Sequence, residues 1–166
     1  MSDAMAPLLS PVLAIEPGWI DYNGHLNQAY YSVLFDKGLD AVLVAAGLGP
    51  ETVQKRGFTY MTVETHYCYV REMFVSDPVQ MSALVLSVDD KRLHMYCELR
   101  HASDGWLACT SEWMFLAISM ETRRAAPWPA DIRANLDALK EASARLSVPE
   151  RAGRAISMGR ASATSR

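Results

Sequence analysis

Asp21-Tyr22-Asn23-Gly24-His25-Leu26-Asn27-Gln28-Ala29-Tyr30-Tyr31 is the stretch that decides how this chain folds, because it leads directly into an apolar segment. It gathers a carboxylate, an imidazole and two amides before Gln28. Asn27 is of a residue type that caps helix N-termini. Backbone N–H groups at such a terminus favour negative charge. We therefore expect Asp21 to lie within reach of an oxyanion site, which suits hydrolysis of an acyl group.

The apolar residues that follow recur at three- and four-residue spacing, which predicts one long helix. Its apolar face contains Tyr30, Tyr31, Leu34, Phe35, Leu39, Val42 and Leu43. Four further apolar residues widen this face, namely Val33, Ala41, Val44 and Ala45. We therefore expect little of the helix to face water and the helix to form the buried centre of the fold. Gly47 or Gly49, followed by Pro50, is expected to end it.

Most of the remaining chain has the composition of β-strands. A short strand is expected at 11–15, and long antiparallel strands are expected at 59–70, 79–88, 93–100 and 106–118. Strict alternation along the first long strand places Thr62, Glu64 and His66 on one face. Ser103-Asp104-Gly105 is a hairpin signal. A second helix is expected from Ala130 to about Leu146.

The composition excludes several classes of function. The 166 residues carry a formal charge of −3, which gives no basic footprint for nucleic acid. No apolar run approaches the roughly 18 residues that a membrane span needs, and the start lacks a secretory signal. Three cysteines form no C-x-x-C pair, which argues against disulfides and zinc and favours the cytoplasm. Metal-binding and nucleotide-binding motifs are absent, so no cofactor is expected.

One domain is expected over residues 1–148. Residues 149–166 are mostly Ala, Ser, Gly and Arg, so we expect this tail to be disordered. The tail contains Arg151, Arg154, Arg160 and Arg166. A solvated terminus explains these arginines better than a phosphate-binding arm does.

The order of predicted elements is a strand, a long buried helix and four antiparallel strands. A single helix wrapped by a curled sheet explains this order. This α+β arrangement resembles the hotdog fold. Residues 21–31 resemble the D-x-x-G-H-x-N-x-x-Y-Y motif of acyl-CoA thioesterases related to 4-hydroxybenzoyl-CoA thioesterase. Weaker similarities lie at 65–72, 76–79 and 123–129, and the resemblance covers roughly residues 10–130.

The resemblance implies a thioesterase that binds an acyl-CoA substrate, with coenzyme A as part of the substrate. In one branch of that family an aspartate at the position of Asp21 is the catalytic carboxylate, and the backbone N–H of Gln28 would be the oxyanion donor. Asp21 can attack the acyl carbon or deprotonate a water, and both routes stay open. The resemblance also implies a homodimer or homotetramer, because the strands otherwise present a bare edge.

The other residues of the motif are expected to assist. Gly24 allows the backbone to approach the acyl group closely. Asn23 and Asn27 are candidate positioning donors, and capping is the alternative role for Asn27. His25 is a candidate second base, or a partner that orients Asp21. The alternative for Asp21 is an Asx-turn before the helix.

Further pocket candidates are Trp19, Tyr22, Glu64 and Trp113. For Glu64 the alternative is a pair with Arg71 or a neighbouring strand. The opening Trp-Ile-Asp-Tyr-Asn-Gly-His is similar to the betainyl-CoA thioesterases of carnitine catabolism, which implies that aromatic rings hold a quaternary ammonium. The same rings can instead pack the sheet against the helix.

Two other classes of function stay open at this point. A hotdog hydratase or dehydratase is one, although its H-F-P-x-x-P pattern fails at His25-Leu26-Asn27. A non-catalytic acyl-CoA-binding module is the other. Candidate contacts to coenzyme A phosphates are Lys91-Arg92, Arg71 and Arg123-Arg124, each of which can equally be a solvated charge.

Overall fold

The computed structural model describes residues 8–158, apart from the side chain of Val53. Six antiparallel strands form one sheet that packs against a long helix, in agreement with the expected α+β hotdog architecture. The elements in chain order are β1 (Leu8–Leu9), β2 (Leu13–Ala14), α1 (Gln28–Leu43), α2 (Pro50–Arg56), β3 (Phe58–Tyr69), β4 (Pro78–Val88), β5 (Arg92–His101), β6 (Leu107–Ser119) and α3 (Ala130–Ser143). Short 3-10 turns cover Pro17–Trp19 and Val44–Ala46.

Hydrogen bonds at both ends of the α1 segment satisfy backbone groups that the helix itself leaves unpaired. The Asn27 side chain accepts a hydrogen bond from the Ala29 N–H at 3.0 Å, so Asn27 is the N-cap, as expected. At the other end, α1 passes at Leu43 into the 3-10 turn Val44–Ala46, and Gly47, which ends this turn, adopts a left-handed conformation with φ 81°. The Leu48 N–H then donates to the Leu43 carbonyl at 3.1 Å, which closes the C-terminus.

One side of α1 is buried and the other is exposed. Leu34, Phe35 and Leu43 are fully buried in the core. In contrast, the side chains at Asp36, Lys37, Asp40, Ala41, Val44 and Ala45 are exposed in the single chain. The expectation that little of α1 faces water is therefore wrong for one chain, because a single sheet covers only one side of a helix.

The sheet has the order β1-β4-β5-β6-β3, and β2 also pairs with β4. Strand β3 therefore lies at the edge of the sheet, with a neighbour only on its β6 side. Residues 61–64 of β3 are exposed. We call the sheet face that packs on α1 the inner face and the opposite one the outer face.

A β-bulge interrupts the alternation of β3. Thr62 lies opposite Phe115, and Glu64 lies opposite Met114, so one extra residue separates them. Phe115 is buried in the core shared with α1, which places Thr62 on the inner face. Glu64 lies on the outer face. The expected single face for Thr62, Glu64 and His66 is therefore wrong, because the bulge shifts the side-chain period by one residue.

Three segment boundaries differ from the expectations. The strand expected at 11–15 is only Leu13–Ala14, and a separate pair, Leu8–Leu9, precedes it on β4. Helix α2 was not anticipated, because a seven-residue polar helix has no clear apolar period. Helix α3 ends at Ser143 rather than at about Leu146.

Beyond α3, the chain passes the outer face of the sheet. We call residues 149–158 the C-terminal strap. The Gly153 N–H in this strap donates to Glu112 Oε2 on β6 at 2.7 Å. The domain boundary at 148 and the disorder of the tail stay predictions, and residues 159–166, with Arg160 and Arg166, lie outside the described range. Within residues 8–158 no helix has the length and apolar content of a membrane span.

Gly38 lets α1 approach β4 closely, and this contact yields a test of the fold. A Cβ at Gly38 would lie 2.7 Å from Sδ and 2.9 Å from Cβ of the fully buried Met81. We expect Gly38→Ala to lower the free energy of unfolding by about 1–3 kcal/mol through overpacking, although alanine ordinarily favours a helix interior. Urea denaturation followed by circular dichroism measures this change.

Gly18→Ala is the matched control, since no heavy atom lies within 4 Å of a Cβ placed there. Its stability should equal that of the wild type. A Gly38→Ala variant as stable as the wild type would contradict the close contact between α1 and β4.

Candidate active site

The segment before α1 forms a tight loop. Ile20 and Leu26 are bridged as an isolated antiparallel pair. Within this bridge the Asp21 N–H donates to the His25 carbonyl at 3.0 Å, and the Gly24 N–H donates to the Asp21 carbonyl at 3.0 Å. Gly24 has φ +84°, a conformation that glycine adopts without strain. The sequence thus folds Asp21 and His25 back beside each other at the base of one turn.

The Asp21 carboxylate has one engaged and one available oxygen. Oδ1 accepts the Asn23 N–H at 2.8 Å, which is the Asx-turn that the sequence left open as an alternative. Oδ2 accepts no hydrogen bond from residues 8–158. The side chain is partly exposed. The turn therefore orients the carboxylate and leaves one oxygen for chemistry.

Two backbone bonds hold this loop in place. The Leu26 N–H donates to the Met73 carbonyl, between β3 and β4, at 2.8 Å. The Asn27 N–H donates to the Trp19 carbonyl at 3.0 Å. Leu26 itself is buried. The bond to Trp19 closes the loop at its base, whereas the bond to Met73 joins it to a segment that is distant in sequence, so the position of the loop also depends on tertiary structure.

The first backbone donor of α1, the Gln28 N–H, has no partner among residues 8–158. Asn27 engages the next two donors, since its side chain accepts the Ala29 N–H and its carbonyl accepts the Tyr30 N–H, each at 3.0 Å. For the Gln28 N–H, the described part of the chain provides no acceptor. This is the donor expected to bind an oxyanion, and it lies at the positive end of a 16-residue helix.

The loop and the helix start open onto a cleft of about 310 Å³. The end of β3 and the residues that follow it form the opposite wall. The lining residues are Asp21, His25, Leu26, Gln28, Tyr31, Tyr69, Val70, Arg71 and Glu72. The structure therefore brings together the expected carboxylate, the expected imidazole and the expected oxyanion donor. Residues 69–72 also line this cleft, although the sequence motif around Asp21 does not predict their presence there.

His25 faces Glu72 rather than the Asp21 carboxylate. Its Nδ1 lies 3.3 Å from the Leu26 carbonyl oxygen. Its Nε2 lies 4.0 Å from Glu72 Oε2. No hydrogen bond between the His25 ring and the Asp21 side chain is present among the described residues. His25 thus lines the cleft as a neighbour of Asp21.

Two tyrosines form the floor of the cleft. The rings of Tyr31 and Tyr69 meet edge to face with their centroids 5.2 Å apart. The Tyr31 hydroxyl donates to the Arg71 carbonyl, and the Tyr69 hydroxyl donates to the Gln28 carbonyl, each at 3.5 Å. Burial raises the pKa of Tyr31 to about 12, and it raises the pKa of Tyr69 as well. Both hydroxyls therefore stay protonated at neutral pH and act as hydrogen-bond donors.

The Arg71 guanidinium stacks on Trp106, with its central carbon 4.1 Å from the ring centroid. Trp106 in turn stacks on His101, with 5.1 Å between the ring centroids. Arg71 forms no ion pair with Glu64, because the bulge in β3 places Glu64 on the outer face. The alternative pairing considered for Glu64 with Arg71 is therefore not found.

The four further pocket candidates lie outside this cleft. Trp19 is only 9% exposed, stacks on Tyr30 at 5.4 Å and is covered by the Lys37 amine at 4.8 Å. Tyr22 is 97% exposed at the tip of the loop. In the single chain, therefore, neither of these two aromatic candidates lines the cleft, because Trp19 is packed on α1 and Tyr22 projects into solvent.

Trp113 and Glu64 are likewise remote from Asp21 in the single chain. Trp113 is 4% exposed and packs against Phe35 in the core, where its Nε1–H donates to Ser111 Oγ at 2.6 Å. Glu64 lines a separate cleft on the outer face. Trp113 therefore packs between the sheet and the helix, the alternative role considered for the aromatic rings, and Trp19 packs on α1.

Metal and thiol chemistry find no support in residues 8–158. No group of three or more His, Cys, Asp and Glu side chains that could hold a metal ion is present there. Cys68, Cys97 and Cys109 are unpaired. Burial raises the pKa of the Cys109 thiol to about 12, and burial also raises that of Cys97 strongly. A nucleophilic Cys109 is therefore disfavoured, since the thiolate is the reactive form.

Comparison with known proteins places this geometry in context. Residues 15–136 match the family model described as the thioesterase-like superfamily. A betainyl-CoA thioesterase from Pseudomonas aeruginosa is 34% identical over 158 residues, which are 95% of this chain and 98% of that protein. An L-carnitine dehydrogenase/betainyl-CoA thioesterase from Rhizobium meliloti is 32% identical over 95% of this chain, which spans about a third (32%) of that longer protein.

A solved structure shares the fold. A hypothetical protein from Staphylococcus aureus, determined in complex with CoA, superposes with a TM-score of 0.85 at 26% sequence identity. The match covers 95% of this chain and 100% of that one. The similarity therefore extends over nearly the whole chain.

Proposed function

This chain belongs to the thioesterase-like superfamily and is a thioester hydrolase, and from that premise we propose that it hydrolyses a small acyl-CoA with Asp21 as the reacting carboxylate. One observation carries the assignment of Asp21. Asp21, whose Oδ2 accepts no hydrogen bond from residues 8–158, and Gln28, whose N–H has no acceptor there, line the same cleft. A carboxylate and an oxyanion donor are the two groups that thioester hydrolysis requires.

The proposed reaction uses the helix start as the oxyanion site. The thioester carbonyl oxygen accepts the Gln28 N–H, where the dipole of α1 favours the charge that develops. Either Asp21 bonds to the acyl carbon, expels the thiolate and forms a mixed anhydride that water cleaves, or Asp21 takes a proton from a water that adds to the same carbon. The thiolate is a good leaving group, so the site needs no strong general acid. Both routes end in a free acid and coenzyme A.

The substrate is proposed to be a cationic acyl-CoA such as betainyl-CoA. The names of two relatives refer to that thioester. In the cleft, the Tyr31 and Tyr69 rings meet edge to face, and Asp21 and Glu72 contribute carboxylates. Aromatic faces attract quaternary ammonium groups. The guanidinium of Arg71 also lines the cleft, but it is held over the Trp106 ring. Arg71 therefore competes less with a cationic acyl group for the Tyr31 and Tyr69 rings.

A homo-oligomer is proposed because β3 has a free edge. This strand is 12 residues long, and its backbone groups on the side away from β6 have no strand partner within the described chain. Long unpaired edges favour pairing with another chain. Pairing two β3 edges about a two-fold axis would extend the sheet and bring the exposed sides of two α1 helices close together. A role in carnitine catabolism, a cytoplasmic location and the absence of a cofactor stay predictions.

Replacing Asp21 by asparagine tests the proposed carboxylate. The asparagine oxygen can still accept the Asn23 N–H, so the loop and the fold should persist. Without a carboxylate, we expect kcat for thioester hydrolysis to fall by about 100-fold or more. Release of free thiol from a panel of acyl-CoAs measures turnover, and circular dichroism checks folding. Glu121→Gln, at an exposed carboxylate far along the chain, is the control.

Near-normal turnover by Asp21→Asn would remove Asp21 from the mechanism. The same panel distinguishes the other classes of function. Consumption of an enoyl-CoA without thiol release would indicate a hydratase, and binding without any turnover would indicate a non-catalytic module.

Comparing betainyl-CoA with 3,3-dimethylbutyryl-CoA tests the cationic substrate, because the two acyl groups have the same shape and differ by one charge. We expect kcat/KM to be higher for betainyl-CoA, and Tyr69→Leu to reduce this preference by about 3- to 30-fold as a cation–π contact is lost. Tyr69→Phe keeps the ring and should keep most of the preference. Equal kcat/KM for the two esters in the wild type would exclude recognition of the charge.

Sedimentation velocity on the purified chain tests the proposed oligomer. We expect the mass of a dimer, or of a multiple of it, at the concentrations used for assays. A species that sediments as a monomer at every concentration, and yet turns over substrate fully, would contradict a shared β3 edge.

A further inference from the structure

A second cleft lies beside the reaction cleft, between β3 and the C-terminal strap. It has a volume of about 230 Å³. Residues 66–69 form one wall, and the strap forms the other with Arg151, Arg154, Ile156 and Ser157. Tyr69 lines both this cleft and the cleft that holds Asp21. The two clefts therefore adjoin at the end of β3, and one extended ligand can occupy both.

The second cleft is a basic site. Its ionisable lining groups include Arg151, Arg154 and His66, and none is a carboxylate. Neither arginine forms an ion pair with a carboxylate among residues 8–158. Glu150 lines an adjoining hollow with the same two arginines and lies beyond ion-pair distance of both. Unpaired guanidinium groups in a concave site are suited to an anionic ligand.

The outer face of the sheet holds the strap in place. The Gly153 N–H, between the two arginines, donates to Glu112 Oε2 at 2.7 Å. The other carboxylate oxygen of Glu112, Oε1, lies 2.8 Å from His94 Nε2, and the Glu112 side chain is only 12% exposed. The Arg154 N–H also approaches the Arg151 carbonyl at 3.4 Å, which closes a turn. Both arginines therefore extend from one anchored turn, which limits the entropy lost when they bind a ligand.

Of the other basic candidates, Arg71 lines the reaction cleft itself and stacks on Trp106, whereas Lys91-Arg92 and Arg123-Arg124 lie at the far end of the sheet. Arg92 on β5 lies opposite Leu116 on β6, and Leu116 lies opposite Met61 on β3. Met61 is eight residues before Tyr69, so at about 3.3 Å per residue the row that contains Arg92 is about 26 Å from Tyr69 along the strands. Arg92 is also engaged by Asp89 at 2.6 Å. Arg123 and Arg124 follow the same end of β6. Within one chain, Arg92, Arg123 and Arg124 are therefore farther than the strap arginines from a ligand whose reacting end lies in the reaction cleft.

We propose that Arg151 and Arg154 bind the phosphate groups of the coenzyme A portion of the substrate. This proposal rests on the proposed function, which places the thioester in the neighbouring cleft. Guanidinium groups bind phosphate oxygens through paired, charge-assisted hydrogen bonds. A coenzyme A ester has its reacting sulfur at one end and its phosphates at the other, which matches a carboxylate site adjoining a basic site. The strap is then a phosphate-binding arm, the less favoured of the two roles considered for the tail.

Edge pairing of β3 leaves this site accessible. Strands pair in the plane of the sheet, whereas the strap lies against its outer face. A second copy on the β3 edge would therefore border the phosphate site without filling it.

Substrates that differ only in their phosphates test the proposal. Kinetics of Arg151→Ala/Arg154→Ala would be measured with an acyl-CoA, with its 3′-dephospho analogue and with the matching acyl-pantetheine thioester. We expect KM for the acyl-CoA to rise about tenfold for each arginine removed, or about 100-fold in the double variant, with kcat little changed. The rise should be smaller for the dephospho ester and absent for acyl-pantetheine. Arg145→Ala, at another exposed arginine, is the control.

Binding of adenosine 3′,5′-bisphosphate, measured by calorimetry, supplies a readout that needs no turnover. The wild type should bind this fragment and the double variant should not. If the double variant also lost activity toward acyl-pantetheine, the arginines would act only on the structure of the strap. If its KM for the acyl-CoA were unchanged, the arginines would not bind the phosphates. Either result overturns the proposal. If the wild type released thiol from none of the substrates, the proposed function would fail, whereas fragment binding would still decide the phosphate site.

Discussion

The unpaired N–H of Gln28 is the feature on which the candidate site depends. A helix always begins with backbone donors that lack an intrahelical acceptor. In this chain Asn27 satisfies the donors of Ala29 and Tyr30 and leaves that of Gln28 open. A capped helix start therefore stabilises α1 and at the same time provides a directed donor at the positive end of the helix dipole.

The position of that donor relative to the carboxylate is set by backbone bonds on both sides of the loop. The Trp19 carbonyl accepts the N–H of Asn27 and closes the base of the loop, and the Met73 carbonyl accepts the N–H of Leu26 and ties the loop to the segment between β3 and β4. The Asx-turn at Asp21 uses one carboxylate oxygen and orients the other. This explains how a structural role and a proposed chemical role coexist in one side chain. They use different oxygens.

The sheet separates the tasks that a thioester substrate imposes. Its inner side carries the aromatic floor, with Tyr31 and Tyr69, beside the start of α1. Its outer side carries the strap and the two arginines that we propose for the phosphates. Strand β3 joins the two regions, because Tyr69 at its end belongs to both clefts. The acidic reacting group and the basic binding groups are thus kept apart on one scaffold, which limits their mutual neutralisation.

Local signals in the sequence determined the N-cap at Asn27, the glycine end of α1, the four long strands and the grouping of Asp21, His25 and Gln28 around one turn. Each of these follows from residues close together in the chain. Tertiary structure alone decided the rest: the bulge that moves Glu64 to the outer face, the burial of Trp19 and Trp113, the entry of residues 69–72 into the cleft, and the anchoring of the strap on Glu112. Most of these features join residues that are about 40 or more positions apart or depend on strand register, and the burial of Trp19 depends on its packing against α1. Such contacts arise from packing that no local pattern encodes.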